Sequence, residues 1–152
     1  MQLTKNFTLA EFLVSQTAAR RGIDMTPPQY VVDNLKQLCV TVLQPLRDAC
    51  DSPVRISSGY RPKALNDAIR GSITSAHLEG RAADFTVIGE TPYETAVMVD
   101  QMGLVVDQTI LEFNKWVHVG ISHEPRQQML TAYLSDGVTH YTPGHLEDAR
   151  NA

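Results

Sequence analysis

Two histidines and an aspartate offer the plainest chemistry in this chain. His77 and Asp84 lie seven positions apart within SAHLEGRAADF, the stretch from Ser75 to Phe85. Imidazole nitrogen and carboxylate oxygen are both good zinc ligands. Seven residues around a central Gly80 do not suit a shared helix face; they suit a loop running into a strand. Asp84 opens the β-forming run Asp84 to Ile88, which predicts its carboxylate at the start of that strand. A second apolar run, Trp116 to Ile121, carries His118. His77, Asp84 and His118 make three protein ligands with a fourth position left for water, the usual arrangement of catalytic zinc. A histidine in an apolar strand also has a plainer reading, as a hydrogen-bonded core residue.

The wider pattern is more specific. Ser75-x-His77-x-x-Gly80-x-Ala82-x-Asp84 follows Ser58-Gly-Tyr-Arg61 and precedes Trp116-Val-His118. In this order the three blocks resemble the zinc D-alanyl-D-alanine carboxypeptidases and their endolysin relatives, which share a fold with the hedgehog signalling domain. The resemblance covers about residues 5 to 122. It implies an α+β domain, with a small antiparallel sheet, helices packed on one face and a zinc cleft on the other. It also implies peptidoglycan stem peptide as the substrate. Ser58-Gly-Tyr-Arg61 matches the family's substrate-anchoring arginine, so Arg61 is expected to take a substrate carboxylate as a bidentate pair; the plain alternative is a solvated arginine at a strand end. Ser75 is either a turn-forming serine or a group that binds substrate or orients His77.

Composition sets the frame for these residues. The 152 residues are 43% hydrophobic and 20% charged, with a net charge of −4. That is one ordinary globular domain with room for a core, here read as a single unit over 1–152 with residues 123–152 as an added strand and an extended C-terminus. The charge gives no support for nucleic-acid binding. No apolar run approaches a membrane span, and the first residues show no secretory signal. A monomer acting on the cell wall is expected, made in the cytoplasm and released by a phage-type route or carried in a virion. Cys39 and Cys50, on one helix, would stand about 16 Å apart, beyond disulfide reach, and are expected to be free, buried thiols.

The remaining elements must position the ligands. Thr8 and Glu11 form a capping-box pattern, with Phe7 and Phe12 as a hydrophobic staple, predicting a helix that runs to about Gly22. Thr26-Pro27-Pro28 reads as the cap and first turn of a longer helix. Val31, Leu35, Leu38, Val42 and Leu46 are its buried stripe, interrupted at Pro45. Val54 to Arg61 reads as a strand into a turn. Thr91-Pro92-Tyr-Glu94 opens another helix that stops at Gly103. Met129 to Leu134 is a strand ending at Asp136-Gly137. His140 and His145 are expected at the surface, and His123-Glu124-Pro-Arg-Gln127 fails as a metal motif, since Gln stands last and Pro125 disfavours the helix.

Strand parity assigns the remaining candidates. With residues 107–113 and 116–121 as a strand pair, burying Leu111, Phe113, Val117, Val119 and Ile121 leaves Gln108, Glu112 and His118 facing the cleft. A three-residue loop, Asn114 to Trp116, would set Glu112 directly opposite His118; a two-residue turn would put it on the wrong side. Glu112 is then the candidate general base and Gln108 a candidate substrate contact. The plain reading makes Glu112 a cross-strand partner of Lys115 or a solvated acid. Many relatives place the catalytic acid or histidine three positions before the last ligand, where this chain has Lys115. A zinc-containing wall-binding or virion module without turnover is the rival to a zinc peptidase.

Overall fold

The elements that hold the candidate ligands grow from an amphipathic helix. In a computed structural model that describes residues 1–147, helix α2 (Gln29–Leu38) and helix α3 (Gln44–Cys50) are joined by one widened turn, Cys39–Leu43. Val31, Leu35, Leu38, Val42 and Leu46 are all fully buried along this rod. The interruption falls just before Pro45, whose ring has no N–H for the preceding turn and would meet its carbonyl. Cys39 and Cys50 are free, as expected, but only Cys39 is buried; Cys50, at the end of α3, is half-buried.

Two helix starts differ from expectation. Glu11 accepts from both the backbone N–H and the hydroxyl of Thr8, and Phe7 packs on Phe12. The turn they open is short, Leu9–Phe12, and a separate helix α1 (Gln16–Arg21) starts at Ser15, which accepts from Ala18 N, and ends at Gly22. Thr26 does not cap α2, because Pro28 pushes Pro27 out of helical backbone. Thr26 bonds Asp24 instead, and the helix begins after Pro28.

The rod packs on a six-stranded sheet formed by β3 (Val54–Ser58), β4 (Ala82–Val87), β5 (Gln108–Glu112), β6 (Trp116–Gly120), β7 (Gln128–Ser135) and β8 (Val138–Pro143). Strands β1 (Gln2–Thr4) and β2 (Phe7–Thr8) form a separate ribbon. The sheet order is β3-β4-β6-β5-β7-β8. Phe85, Val87, Leu111, Val117 and Val119 join the α2–α3 stripe and helix α5 (Pro92–Gln101) in one core cluster. By alternation, Asp84, Glu112 and His118 lie on the opposite face. The sheet is mixed, not antiparallel throughout: β7 runs parallel to β5, because the chain leaving β6 turns at the start of β5, passes that strand and pairs on its other side, with both Gly120 and Gln128 opposite Gln108.

The β5–β6 hairpin keeps the expected parity with a different register. Its three-residue loop is Phe113 to Lys115, so Glu112 pairs with Trp116 and His118 pairs with Ile110. Phe113 and Asn114 both have positive φ, 56° and 55°, and Lys115 N donates to the Glu112 carbonyl. A tight turn at Phe113-Asn114 therefore closes one residue earlier than expected, and Phe113 is half-buried on the turn rather than in the core.

Beyond residue 122 the chain adds two strands, not one, and returns to the core. His145 is not a surface residue. Its side chain is 2% exposed, with Nε2 2.9 Å from the Thr109 carbonyl and Nδ1 2.5 Å from Asp100 Oδ2. Gly144 and Leu146 bond the Thr131 hydroxyl beside it. Burial alone would lower the His145 pKa, but two facing acceptors and the Asp100 charge outweigh it and raise the pKa above its usual value. A raised folded-state pKa stabilises the protein fully below the unfolded value, about 6.5, and this contribution fades as pH rises through the folded value. Replacing His145 with Gln should therefore lower the Tm more at pH 6 than at pH 9. An equal loss at both values would mean the imidazole is held neutral.

Candidate metal centre

His77, Asp84 and His118 converge on the open face of the sheet. Asp84 and His118 are direct cross-strand partners on β4 and β6. Such pairs bring side chains within reach of each other, and here Asp84 Oδ1 lies 2.9 Å from His118 Nδ1. His77 comes from a short turn, Ala76–Glu79, and its Nε2 lies 3.3 Å from the same oxygen. Asp84 is the third residue of β4 rather than its first, since pairing begins at Ala82 opposite Gly120.

Each ligand is fixed by its surroundings. His77 Nδ1 lies 2.7 Å from the Gly59 carbonyl. It donates there, which leaves the Nε2 lone pair free for a metal. The Ser75 hydroxyl accepts from His77 N at 3.3 Å and caps the turn. Gly80 closes it with φ 71°, and a Cβ at that position would lie 2.8 Å from both Cγ1 and the carbonyl oxygen of Val31. The glycine thus lets the ligand turn press onto α2, where Asn34 also donates to the Glu79 carbonyl. Gly59 has a similar reason: its Cβ would lie 2.7 Å from the Phe12 backbone, and Tyr60 N donates to Phe12 O.

The donor set fits a metal ion. Its three ligand atoms all lie within 4.8 Å of one another. Tetrahedral zinc with bonds of about 2.0–2.1 Å needs ligand atoms roughly 3.4 Å apart, and Asp84 Oδ1 stands 3.3 Å from His77 Nε2 and 2.9 Å from His118 Nδ1. His77 Nε2 is buried without a hydrogen-bond partner; a buried polar atom with nothing to bind is costly, and a cation there would satisfy it. Burial tends to raise the Asp84 pKa, but the two imidazoles more than offset this and hold it well below the carboxylate range. Burial lowers the pKa of His77 despite Asp84. In His118 burial works the same way, but Asp84 and Glu112 outweigh it and raise the pKa.

Glu112 sits beside the triad as a neighbour on the diagonal from His118. Its Oε1 is 3.7 Å from His118 Nδ1, a separation that a diagonal cross-strand pair and a long side chain allow. Burial and the Asp84 charge raise its pKa to about 6, against the opposing pull of His118, Trp116 and Arg61. The buried Trp116 indole N–H, a neutral donor, faces this carboxylate and favours its ionised form, although the pair falls short of full hydrogen-bond geometry. Arg61 Nη2 donates to the Ser75 hydroxyl at 3.3 Å, while Arg61 Nε is buried without a partner. Burial lowers the Arg61 pKa, with Asp84 and Glu112 opposing. Gln108 lies on the cleft face, its amide donating to Gln128 at 2.7 Å. Sequence reasoning did not find the Gly59 carbonyl or Trp116 as supports. Parity alone would have placed Trp116 on the His118 face; nothing local marks a backbone carbonyl.

Known proteins point the same way. The family model for Peptidase M15, whose members depend on zinc, matches residues 5–120. No curated protein matches the chain significantly. A metal that binds only the folded state at a hundred times its Kd stabilises by about 2.7 kcal/mol, or ~5–10 °C in a chain of this size. Zinc added to chelator-stripped protein should raise the Tm by that order, and Asp84→Ala should abolish the rise. An undiminished rise in the variant would place the metal elsewhere.

Proposed function

The chain belongs to the peptidase M15 family, and from that premise we propose that it is a zinc peptidase hydrolysing the stem peptides of bacterial peptidoglycan. His77 Nε2, Asp84 and His118 Nδ1 would hold the metal. Zinc at such a site supplies Lewis acidity, acidifying a water and polarising a carbonyl. The residues of the chain do the rest. Glu112 takes the water's proton and returns it to the leaving amine, a task that needs a carboxylate next to the ligands without being one of them. The single observation that supports this reading most is the Glu112 carboxylate 3.7 Å from His118 Nδ1. Its partly buried setting keeps it a stronger base than a solvated glutamate.

Arg61 anchors a substrate carboxylate. Its Nη2 is oriented by Ser75, and its unpartnered Nε leaves a donor for the bidentate pair. Ser75 is thereby an orienting group for both Arg61 and the His77 turn, rather than a primary substrate contact. Gln108 is the weaker contact, since Gln128 already occupies its amide nitrogen. We place the enzyme as a D-alanyl-D-alanine carboxypeptidase or a stem-cutting endopeptidase of phage or prophage origin, acting on the wall after phage-type release or from a virion. Among the described residues no helix is long and apolar enough to cross a membrane.

Glu112→Gln keeps the size of the side chain and removes the base. Purified peptidoglycan incubated with wild type should yield D-alanine or fragments with new amino termini by mass spectrometry, and none after chelation. The variant should lose about 10²–10⁴-fold in rate while retaining bound zinc. Wild-type turnover in the variant would remove Glu112 from the mechanism. Bound zinc with no products from several wall types would favour the binding-module alternative.

A further inference from the structure

A second cleft adjoins the metal centre on the far side of Arg61. It has a volume of about 320 Å³, at the small end for ligand sites and roomy enough for one or two amino-acid residues. Strand β3 gives it Ser57 and Ser58, and helix α4 (Lys63–Ala68) and its end give it Leu65 and Ile69. Helix α1 and its lead-in give it Val14 and Arg20. Ser58 is the cross-strand partner of Asp84, so the cleft begins one strand from the ligand set. β3 is the edge strand of the sheet, and its outer side faces this space with no further strand.

The charge of this cleft is one-sided. Arg20 and Arg61 both line it, and no aspartate or glutamate does. Among the described residues, neither arginine has a carboxylate within ion-pair distance. In a chain with a net charge of −4, two cations without an ion-paired carboxylate around one cleft favour an anion there. The buried, unpartnered Nε of Arg61 is a donor that requires an acceptor. Arg61 alone would serve a single carboxylate at the scissile end. Arg20, on a different element, adds a second position.

We propose that this cleft is a substrate subsite for a second carboxylate, carried by a residue of the stem peptide near the scissile bond and held by Arg20. The inference rests on the peptidase reading and adds a specificity to it: free acidic side groups are preferred over their carboxamides. The carboxamide has the same shape but cannot form the charge-assisted pair. Val14, Leu65 and Ile69 give the aliphatic part of such a residue an apolar wall, and Ser58 offers a hydroxyl to its backbone, while the Ser57 hydroxyl donates to the Asp84 carbonyl.

The test uses two stem-type peptides that differ only in one carboxylate or carboxamide, with the zinc-loaded protein. Wild type should show a KM about tenfold lower for the acid, equivalent to ~1.4 kcal/mol, with kcat little changed, as expected for a contact that stabilises the bound ground state and the transition state equally. Arg20→Gln should lose most of that preference while cutting the amide peptide as wild type does. A merely structural role for Arg20 would depress both peptides equally. No acid preference in wild type, or an undiminished one in Arg20→Gln, overturns the subsite. If wild type cuts neither peptide, the peptidase reading fails, and calorimetric Kd values for the same pair on wild type and Arg20→Gln decide the subsite alone.

Discussion

One carboxylate oxygen organises the open face of this molecule. Asp84 Oδ1 lies within 3.3 Å of His77 Nε2 and 2.9 Å of His118 Nδ1. Three nearly buried polar groups can be held together only if the backbone that carries them is fixed from behind. The β4–β6 register fixes two of them, and the third depends on a turn that Gly80 allows to close onto α2. The Gly59 carbonyl, held against Phe12, then sets which nitrogen of His77 points inward. The apolar rod, the ligand turn and the N-terminal segment thus serve one small polar cluster. The two imidazoles and the carboxylate face one another, and His77 Nε2 has no hydrogen-bond partner among them.

Glu112 and Arg61 complete the cluster without belonging to it. The diagonal relation between Glu112 and His118 sets the candidate base apart from the candidate ligands. A direct opposition would bring the carboxylate next to the imidazole, where it would compete for the same position. Arg61 lies on the other side, its backbone N–H bonded to the His77 carbonyl, which ties the candidate anchor to the candidate ligand. The segment beyond the family match, 121–147, lengthens the sheet through β7 and β8 and locks onto α5 and β5 through His145. Asn114, at the tip of the Glu112 hairpin, donates to the Glu147 carbonyl. The added strands therefore brace the hairpin that carries the candidate base.

Much of this was legible in residue types and periodicity. The buried stripe of α2 and α3, the Thr91–Glu94 cap and the free cysteines follow from local rules that tertiary contacts reinforce. The gathering of His77, Asp84 and His118 was legible through spacing and pattern together. Register was less so. Parity put Glu112 on the His118 face, but only the left-handed backbone of Phe113 and Asn114 decided where the loop closed, and a phenylalanine gives no signal for that conformation. The parallel β7 and the buried His145 depend on contacts twenty or more residues away, which no local pattern carries. Prolines marked interruptions correctly but not their form: one widened turn before Pro45, and a delayed helix start after Pro28.

The central claim is that these three side chains form a single open metal site, and zinc K-edge X-ray absorption of the reconstituted protein tests it most directly. The account predicts two imidazole nitrogens and two oxygens at about 2.0–2.2 Å, one oxygen from Asp84 and one from solvent. It also predicts that an added carboxylate ligand perturbs only the solvent oxygen. A sulfur scatterer at about 2.3 Å, or a first shell made of protein ligands alone, would contradict it.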